Sequence, residues 1–148
     1  MQTLRMVVRA WHCDHIGHLN AGLYMQWLGD GAFSLFSEYG LDGETTRKLG
    51  INMAAVRAEI DFKRELKPGD TVVMDTDLQE LNAKTAVFRH RLSRLGDNVL
   101  AMDAKLITVC LDLNTRKARA FPEEIAARLA PLLPPPTGGT RASALPQR

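Results

Sequence analysis

The chain has 148 residues, of which 45% are hydrophobic, so it is long enough for one domain with a core that needs neither disulfides nor metal. Two cysteines are too few for a disulfide framework, and no apolar stretch approaches the roughly 20 residues of a membrane-spanning helix, so we expect a cytoplasmic protein without a membrane segment. The net charge of only +2, from 19 basic and 17 acidic residues, argues against general nucleic-acid binding.

The first predicted elements are a strand, a loop and a long helix. Apolar and basic residues alternate over residues 4–10, which indicates a strand with one mostly apolar face. Residues 11–20 are polar and contain glycine, which is typical of a loop, and Asn20 at its end is a favoured helix cap. Residues 21–36 are almost all apolar or small, with Asp30 as the one charged residue, so the sequence predicts a helix buried on most sides.

The rest of the body is predicted to consist mostly of strands joined by short turns. After a polar connection at 42–50, strand-like patterns cover residues 51–64, 71–80, 84–95 and 99–112, with a short further strand at 117–121. The separators are short enough for antiparallel hairpins. Pro122 followed by two glutamates indicates a short helix to about residue 129. These patterns favour the α+β class, with a buried helix against a mainly antiparallel sheet of about five strands.

The last part of the chain differs in composition from the rest. Residues 131–148 contain five of the seven prolines and show no periodic pattern. We therefore predict a single domain over residues 1–130 and a Pro-rich, flexible tail over 131–148 that adds nothing to the core.

Asp14 is the residue that we expect to carry the chemistry, because its loop leads into the N-terminus of the predicted helix. The first N–H groups of a helix lack intrahelical acceptors and lie at the positive end of the helix dipole, so Ala21 and Gly22 are candidate donors to a developing oxyanion. A carboxylate beside them can attack a thioester carbon or take a proton from an attacking water. A thiolate leaves easily, so we expect no metal and no cofactor. The alternative is that Asp14 is only a turn residue or a helix cap.

Two segments of the sequence resemble a known family. The residues DHIGHLN at 14–20, followed by Tyr24, resemble the D-x-x-G-H-[V/M/L]-N signature of the 4-hydroxybenzoyl-CoA thioesterase-like hotdog family. Residues 62–70 are similar to the segment in which that family ends a long strand in a Gly-Asp turn. The resemblance covers roughly residues 4–113. The sequence departs from the family at Ala21, where many relatives carry Asn, His or Tyr, and at Glu65, which replaces a common proline.

The resemblance implies a hotdog fold, in which an antiparallel sheet wraps the long helix. It also implies an acyl-CoA thioesterase that uses Asp14 as nucleophile or general base. Its sites would lie between the subunits of a homodimer, and pairing of dimers into a homotetramer stays open. Coenzyme A would enter as part of the substrate.

Three further candidate site residues each have alternative roles. His18 could orient the loop or contact substrate, Asn20 could be catalytic but is favoured as a cap, and the Tyr24 hydroxyl could face the site or only pack. Gly22 and Ala21 are assigned to substrate binding through their backbone N–H groups. The phosphates of CoA need cationic partners, and basic side chains on the central strands are candidates. These are Arg57, Lys63 and Arg64, with Arg89 and Arg91 further along.

Three competing functions are kept open. His12, Asp14 and His15 match part of a metallo-β-lactamase-like metal motif, but residue 10 is alanine and His90 is the one histidine outside the loop. A non-catalytic acyl-CoA-binding protein would keep the fold without turnover. A hotdog hydratase or dehydratase is weakly supported by Asp14 and His18. The acyl group, and the choice between CoA and acyl-carrier-protein thioesters, cannot be predicted from the sequence.

Overall fold

The computed structural model describes residues 1–135 and contains five strands and three α-helices in that part of the chain. In chain order these are β1 (Gln2–Val7), α1 (Ala21–Glu38), α2 (Gly43–Leu49), β2 (Ile51–Phe62), β3 (Thr71–Leu81), β4 (Thr85–Arg94), β5 (Leu100–Asp112) and α3 (Glu123–Leu129). Single 3-10 turns cover Ala10–His12 and Ala130–Leu132. The strands form one sheet in the order β1-β3-β4-β5-β2, and every neighbouring pair is antiparallel. The predicted α+β class and antiparallel sheet are confirmed.

Alternation of side chains gives the sheet one apolar and one charged face. Along β3, Val72, Met74 and Leu78 are buried, whereas Asp75 and Asp77 lie on the other face and are partly exposed. On that charged face, cross-strand pairs form between oppositely charged residues of neighbouring strands, including Arg89 with Asp103 and Arg91 with Asp77. The apolar face is therefore the one available to helix α1.

Helix α1 lies against the apolar face of the sheet along one side. Its buried residues recur at helical spacing and are Tyr24, Trp27, Leu28, Gly31, Ala32, Leu35 and Phe36. A Cβ at Gly31 would lie 2.7 Å from Met74 Sδ, so glycine is what lets the helix approach β3 this closely. The opposite side of α1 is open, with Met25 46% and Phe33 58% exposed. The prediction that the helix is buried on most sides is therefore wrong within a single chain.

The core consists of two clusters, one at each end of α1. The loop-end cluster surrounds the start of the helix and includes Val8, Leu19, Trp27, Leu28, Leu66 and Leu92. The α3-end cluster surrounds its end and includes Phe36, Leu41, Ile51, Phe88, Ile125 and Leu129. Helix α3 covers the second cluster, and the loop that follows β1 covers the first.

Several predicted boundaries differ from the structure. Residues 43–49 form helix α2, not a polar connection; Asp42 caps it by accepting from the N–H groups of Glu44 and Thr45, both at 2.8 Å. Residues 117–121 are not a strand and contribute only an isolated bridge between Ala118 and Leu111. Strand β1 ends at residue 7 because residues 10–12 turn instead of extending.

The structure describes the first five residues of the predicted tail, 131–135. Leu132 and Leu133, which the prediction assigned to it, pack against the α3-end cluster. Residues 136–148 of the predicted tail lie outside the described residues. Among residues 1–135, no helix combines the length and apolar character needed to cross a membrane.

Candidate active site

The loop that precedes α1 is held in shape by its own backbone. A bridge between Cys13 and Leu19 closes it, and the N–H of Asp14 donates to the carbonyl of His18 at 3.2 Å. The N–H of Gly17 returns to the carbonyl of Asp14 at 3.0 Å, and its φ of +93° explains the glycine at this position. The backbone at Asp14 is therefore fixed on both sides.

The side chain of Asp14 is half-buried and only partly committed within the chain. One oxygen, Oδ1, accepts from the N–H of Ile16 at 2.9 Å and forms an Asx turn. Within residues 1–135, the other oxygen accepts no hydrogen bond. The turn thus orients the carboxylate while one oxygen stays available to a substrate or a water.

The exit of strand β2 forms the opposite wall of the site. The N–H of Leu19 donates to the carbonyl of Leu66 at 2.8 Å, and Leu66 is fully buried. The N–H groups of Lys63 and Arg64 both donate to the carbonyl of Ala101, at 2.8 and 3.2 Å. These bonds hold residues 62–66 beside the Asp14 loop.

A cleft of about 350 Å³ lies between the loop, the start of α1 and the exit of β2. It is lined by Asp14, His18, Leu19, Ala21, Tyr24, Phe62, Lys63, Arg64 and Glu65. Six of the nine site residues proposed from the sequence therefore meet in one place. The other three, Asn20, Gly22 and Arg57, do not line the cleft.

The first turn of α1 offers one free backbone donor to the cleft. Asn20 caps the helix, and its Oδ1 accepts from the N–H of Gly22 at 2.8 Å. The N–H of Leu23 donates to the carbonyl of Asn20 at 3.0 Å. The N–H of Ala21 has no acceptor within residues 1–135 and belongs to a residue that lines the cleft. Of the two oxyanion donors proposed from the sequence, Ala21 is the one with an unused N–H.

Tyr24 contributes an aromatic wall and a hydroxyl. It is 5% exposed, and its ring meets that of Phe62 edge to face with 5.0 Å between centroids. Burial raises the pKa of Tyr24, with smaller contributions from Cys13 and Glu65. Its phenol is therefore protonated at neutral pH and can donate a hydrogen bond.

The basic residues proposed for phosphate binding have different surroundings. Lys63 Nζ lies 3.8 Å from Asp61, and Arg64 Nη1 donates to the carbonyl of Lys63 at 2.7 Å, so both cations follow the exit of β2. Arg57 is paired with Glu59 at 2.9 Å, outside the cleft. Arg89 and Arg91 are paired with aspartates on the charged face of the sheet.

The histidines of the loop do not converge. His18 lines the cleft, and its Nδ1 lies 3.3 Å from the carbonyl of Leu19. His12 accepts from the N–H of Arg9 at 3.0 Å through Nδ1 and packs edge to face on Trp27, while His15 is exposed. In the described part of the chain, no three His, Cys, Asp or Glu side chains lie close enough together to hold a metal ion.

Sequence reasoning missed three residues of the cleft: Leu19, Phe62 and Glu65. Leu19 lies inside the loop motif, and the other two lie in the second segment that resembles the family. Position in a motif was thus the available signal. Periodicity places Phe62 at the end of a strand but does not indicate that this end meets the Asp14 loop.

Comparison with known proteins identifies the family of the chain. Residues 8–129 match the family model of the thioesterase-like superfamily. The chain belongs to this superfamily. The predicted class of enzyme, a thioester hydrolase, is thereby confirmed. The matched range includes every residue that lines the cleft.

One relative and two solved structures show how far the similarity extends. The chain is 26% identical over 133 residues to the long-chain acyl-CoA thioesterase FadM of Escherichia coli, covering 87% of this chain and 96% of that protein. A hypothetical protein of Staphylococcus aureus, solved in complex with CoA, superposes with a TM-score of 0.84 at 19% identity, covering 99% and 96% of the two chains. A 1,4-dihydroxy-2-naphthoyl-CoA thioesterase of Synechocystis gives a TM-score of 0.77 at 20% identity, covering 87% and 95%. The predicted hotdog fold is confirmed.

Proposed function

We propose that this thioesterase hydrolyses an acyl-CoA to a carboxylic acid and free CoA in the Asp14 cleft. The observation that carries the proposal is that the Asp14 carboxylate and the unused N–H of Ala21 line the same cleft. A nucleophile or base and an oxyanion donor are the two parts that thioester cleavage needs. FadM, the acyl-CoA thioesterase of E. coli, supports the choice of substrate class.

The reaction proceeds through attack on the thioester carbon. Asp14 acts either as the nucleophile, giving an acyl anhydride that water then hydrolyses, or as the base that removes a proton from the attacking water. In both cases negative charge moves to the carbonyl oxygen, where the N–H of Ala21 and the positive end of α1 stabilise it. The C–S bond then breaks, and the thiolate leaves with CoA and takes up a proton. No metal or cofactor takes part in this proposal.

The cations at the exit of β2 are proposed to bind the phosphates of CoA. Lys63 and Arg64 line the cleft, and both carry side chains that reach solvent. Guanidinium and ammonium groups form charge-assisted hydrogen bonds to phosphate oxygens. This places the nucleotide at the mouth of the cleft and the acyl group toward Tyr24 and Phe62.

The protein is proposed to work as a homodimer, or as a homotetramer built from such dimers, with the sites between subunits. Strand β2 is an edge of the sheet, and Val56 on it is 59% exposed. Phe62 belongs to this edge strand and also lines the cleft. A second copy paired along β2 would satisfy the free edge and cover the cleft at the same time. Sedimentation analysis measures the subunit number directly.

The cytoplasm is the proposed location. Both cysteines are free thiols in the structure: Cys13 is partly exposed on its loop, and Cys110 is buried. Such thiols are kept in a reducing compartment. Fractionation of cells followed by detection of the protein tests this proposal.

Replacing Asp14 by asparagine tests the function most simply. Asparagine keeps the oxygen that accepts from Ile16, so the loop should keep its shape while the nucleophile or base is lost. We expect the rate of thiol release from the best acyl-CoA to fall by about 10²-fold to 10⁴-fold. Asp30→Asn, an exposed change elsewhere on α1, is the matched control and should leave the rate unchanged. A rate for Asp14→Asn within twofold of wild type would overturn the assignment.

Nucleophile and base are separated by a different measurement. In a single turnover in heavy-oxygen water, the nucleophile mechanism leaves an unlabelled Asp14 oxygen in the product acid when water attacks the Asp14 carbonyl of the anhydride, whereas the base mechanism always puts label in the acid. Unlabelled acid therefore identifies the nucleophile mechanism. Mass spectrometry of the released acid reads the difference.

A further inference from the structure

Two polar side chains of the cleft have no hydrogen-bond or ion-pair partner among residues 1–135. Glu65 lines the cleft, and among residues 1–135 its carboxylate forms neither an ion pair nor a hydrogen bond. The Tyr24 hydroxyl also donates to no acceptor in this range, yet it is not sealed from solvent as a fully buried atom would be. Glu65 is exposed and its carboxylate is therefore hydrated, so the cleft presents to a ligand one hydrated acceptor and one hydroxyl donor.

Glu65 shares the cleft with the aromatic rings of Tyr24 and Phe62. Glu65 and Tyr24 line the same cleft, and the charge of Glu65 also contributes, after burial and Cys13, to the raised pKa of Tyr24. The neighbouring cations are directed elsewhere, since Lys63 lies beside Asp61 and Arg64 bonds the carbonyl of Lys63. Within residues 1–135 the negative charge of Glu65 therefore has no ion-pair partner, in a cleft that the Tyr24 and Phe62 rings also line.

We propose that Glu65 is a specificity-determining residue that selects acyl groups carrying a hydrogen-bond donor, a hydroxyl or an ammonium, a few atoms from the carbonyl. This inference rests on the proposed function and names the substrate class of the same cleft. A plain alkyl group would displace water from the Glu65 carboxylate and offer no hydrogen bond in its place. An anionic acyl group would be repelled by the carboxylate. A donor on the acyl group avoids both costs. Such a polar site discriminates more strongly than an apolar pocket does.

A series of three-carbon acyl-CoAs tests the proposal with length held constant. The substrates are propionyl-CoA, 3-hydroxypropionyl-CoA, 3-aminopropionyl-CoA and malonyl-CoA, and the measured quantity is kcat/KM from thiol release. We expect wild type to favour both donor-bearing substrates over malonyl-CoA by about tenfold or more. Glu65→Gln should reduce this ratio by at least about fivefold, chiefly by losing the ammonium and accepting malonyl-CoA. The hydroxyl and ammonium substrates, read separately, distinguish donor recognition from recognition of positive charge.

Controls separate this inference from the proposed function. Glu124→Gln, an exposed glutamate on α3, should leave all ratios unchanged. If wild type turns over none of the four substrates, the affinities of the matching non-hydrolysable thioethers are measured by calorimetry, and the same ranking with the same loss in Glu65→Gln supports the assignment of Glu65. Equal ratios in wild type and Glu65→Gln, in turnover or in affinity, overturn it even if propionyl-CoA is hydrolysed.

Discussion

The two ends of helix α1 pack against the same sheet but are finished in opposite ways. At the C-terminal end of α1, helix α3 covers the core, and Ile125 and Leu129 are fully buried there. At the N-terminal end of α1, a cleft lies between the Asp14 loop and the exit of β2, and charged side chains line this cleft. Both ends have a dense apolar cluster beneath them.

The difference shows how one helix serves stability and chemistry separately. The α3 end is closed by apolar side chains, so a change there should act on folding alone. The start of α1 leaves the N–H of Ala21 open to the cleft and the preceding loop adds the Asp14 carboxylate, and the loop-end cluster lies beneath both. The fold thus supplies rigidity at the site without filling it.

The largest effect on stability is expected from a matched pair of core substitutions, one at each end of α1. Ile125→Ala and Leu66→Ala each remove most of a fully buried aliphatic side chain. Ile125 lies on the buried side of α3, and Leu66 lies in the loop-end cluster beside the cleft. Each should lower the free energy of unfolding by about 2–5 kcal/mol in denaturant titrations. Only Leu66→Ala should also lower kcat/KM per folded molecule, because the Leu66 side chain packs in the same cluster as Leu19 and keeps the backbone bond between the two residues, and with it the Asp14 loop, in position. An equal loss of kcat/KM in both variants would contradict the division between the ends.

His90, midway along the sheet, gives stability a pH dependence that belongs to neither end. Burial lowers its pKa to about 4, against a small opposing effect of Asp77, so the folded protein keeps it neutral where the unfolded chain takes up a proton. Between pH 6.5 and about 4, the unfolded state binds more protons. As the pH is lowered through this window, the free energy of unfolding should therefore fall by about 1.4 kcal/mol per pH unit, and by about 3 kcal/mol in all.

The control for His90 removes the titrating group. His90→Gln keeps a polar side chain that can reach the hydroxyl of Thr76, which lies 2.9 Å from His90 Nδ1. Its stability, from denaturant titrations at several pH values, should be flatter over this window. The carboxylates with lowered pKa values, such as Asp103 beside Arg89, lose their contribution only below their ordinary pKa of 3.8. An unchanged slope in His90→Gln would refute the assignment.

A smaller effect is expected on substrate binding at the mouth of the cleft. Arg64→Gln should raise KM for the best acyl-CoA by about threefold to tenfold, since an exposed charge-assisted bond contributes about 1 kcal/mol. The value of kcat should not change, because the phosphates are bound equally in ground state and transition state. Arg57→Gln is the matched control outside the cleft. The two variants giving the same KM would argue against phosphate binding by Arg64.

The smallest effect compares two helix caps. Asn20 caps α1 at the cleft, and Asp42 caps α2 near the closed end. Replacing either by alanine should cost about 1 kcal/mol of stability, seen as a modest shift in melting temperature. Asn20→Ala should also slow thiol release several-fold, because the first turn of α1 that carries Ala21 loses its cap. If Asp42→Ala slowed the reaction as much, the effect would not come from the site.

The sequence predicts the parts of the fold that repeat and the parts of the site that lie close together along the chain. Alternation located the five strands, and the apolar run located α1. Helix α2 was missed because its seven residues show no apolar period, although Asp42 and Gly50 carry the cap signals at its two ends. The short strand expected at residues 117–121 forms only the isolated bridge to Leu111, since the segment that leads into β4 already lies along the same edge of β5, where the N–H of Cys110 donates to the carbonyl of Lys84.

The cleft shows the same limit. Asp14 and the start of α1, which the motif at residues 14–20 brings close together along the chain, line one cleft. Glu65 and Phe62 were missed because they are brought there by tertiary bonds, above all that between Leu19 and Leu66. Conversely, Arg57 has the right charge but pairs with Glu59 outside the cleft. Charge in a sequence does not indicate where a side chain points.

The most direct test of the central claim is thiol release by the wild-type protein from a panel of acyl-CoAs, measured with and without a chelator. The panel spans short, long and aromatic acyl groups and includes acyl-carrier-protein thioesters as a separate arm. Hydrolysis of at least one acyl-CoA that persists in the chelator is the result expected from a cleft built around Asp14 and the N–H of Ala21. Absence of turnover across the panel, or its loss on chelation, would contradict the account.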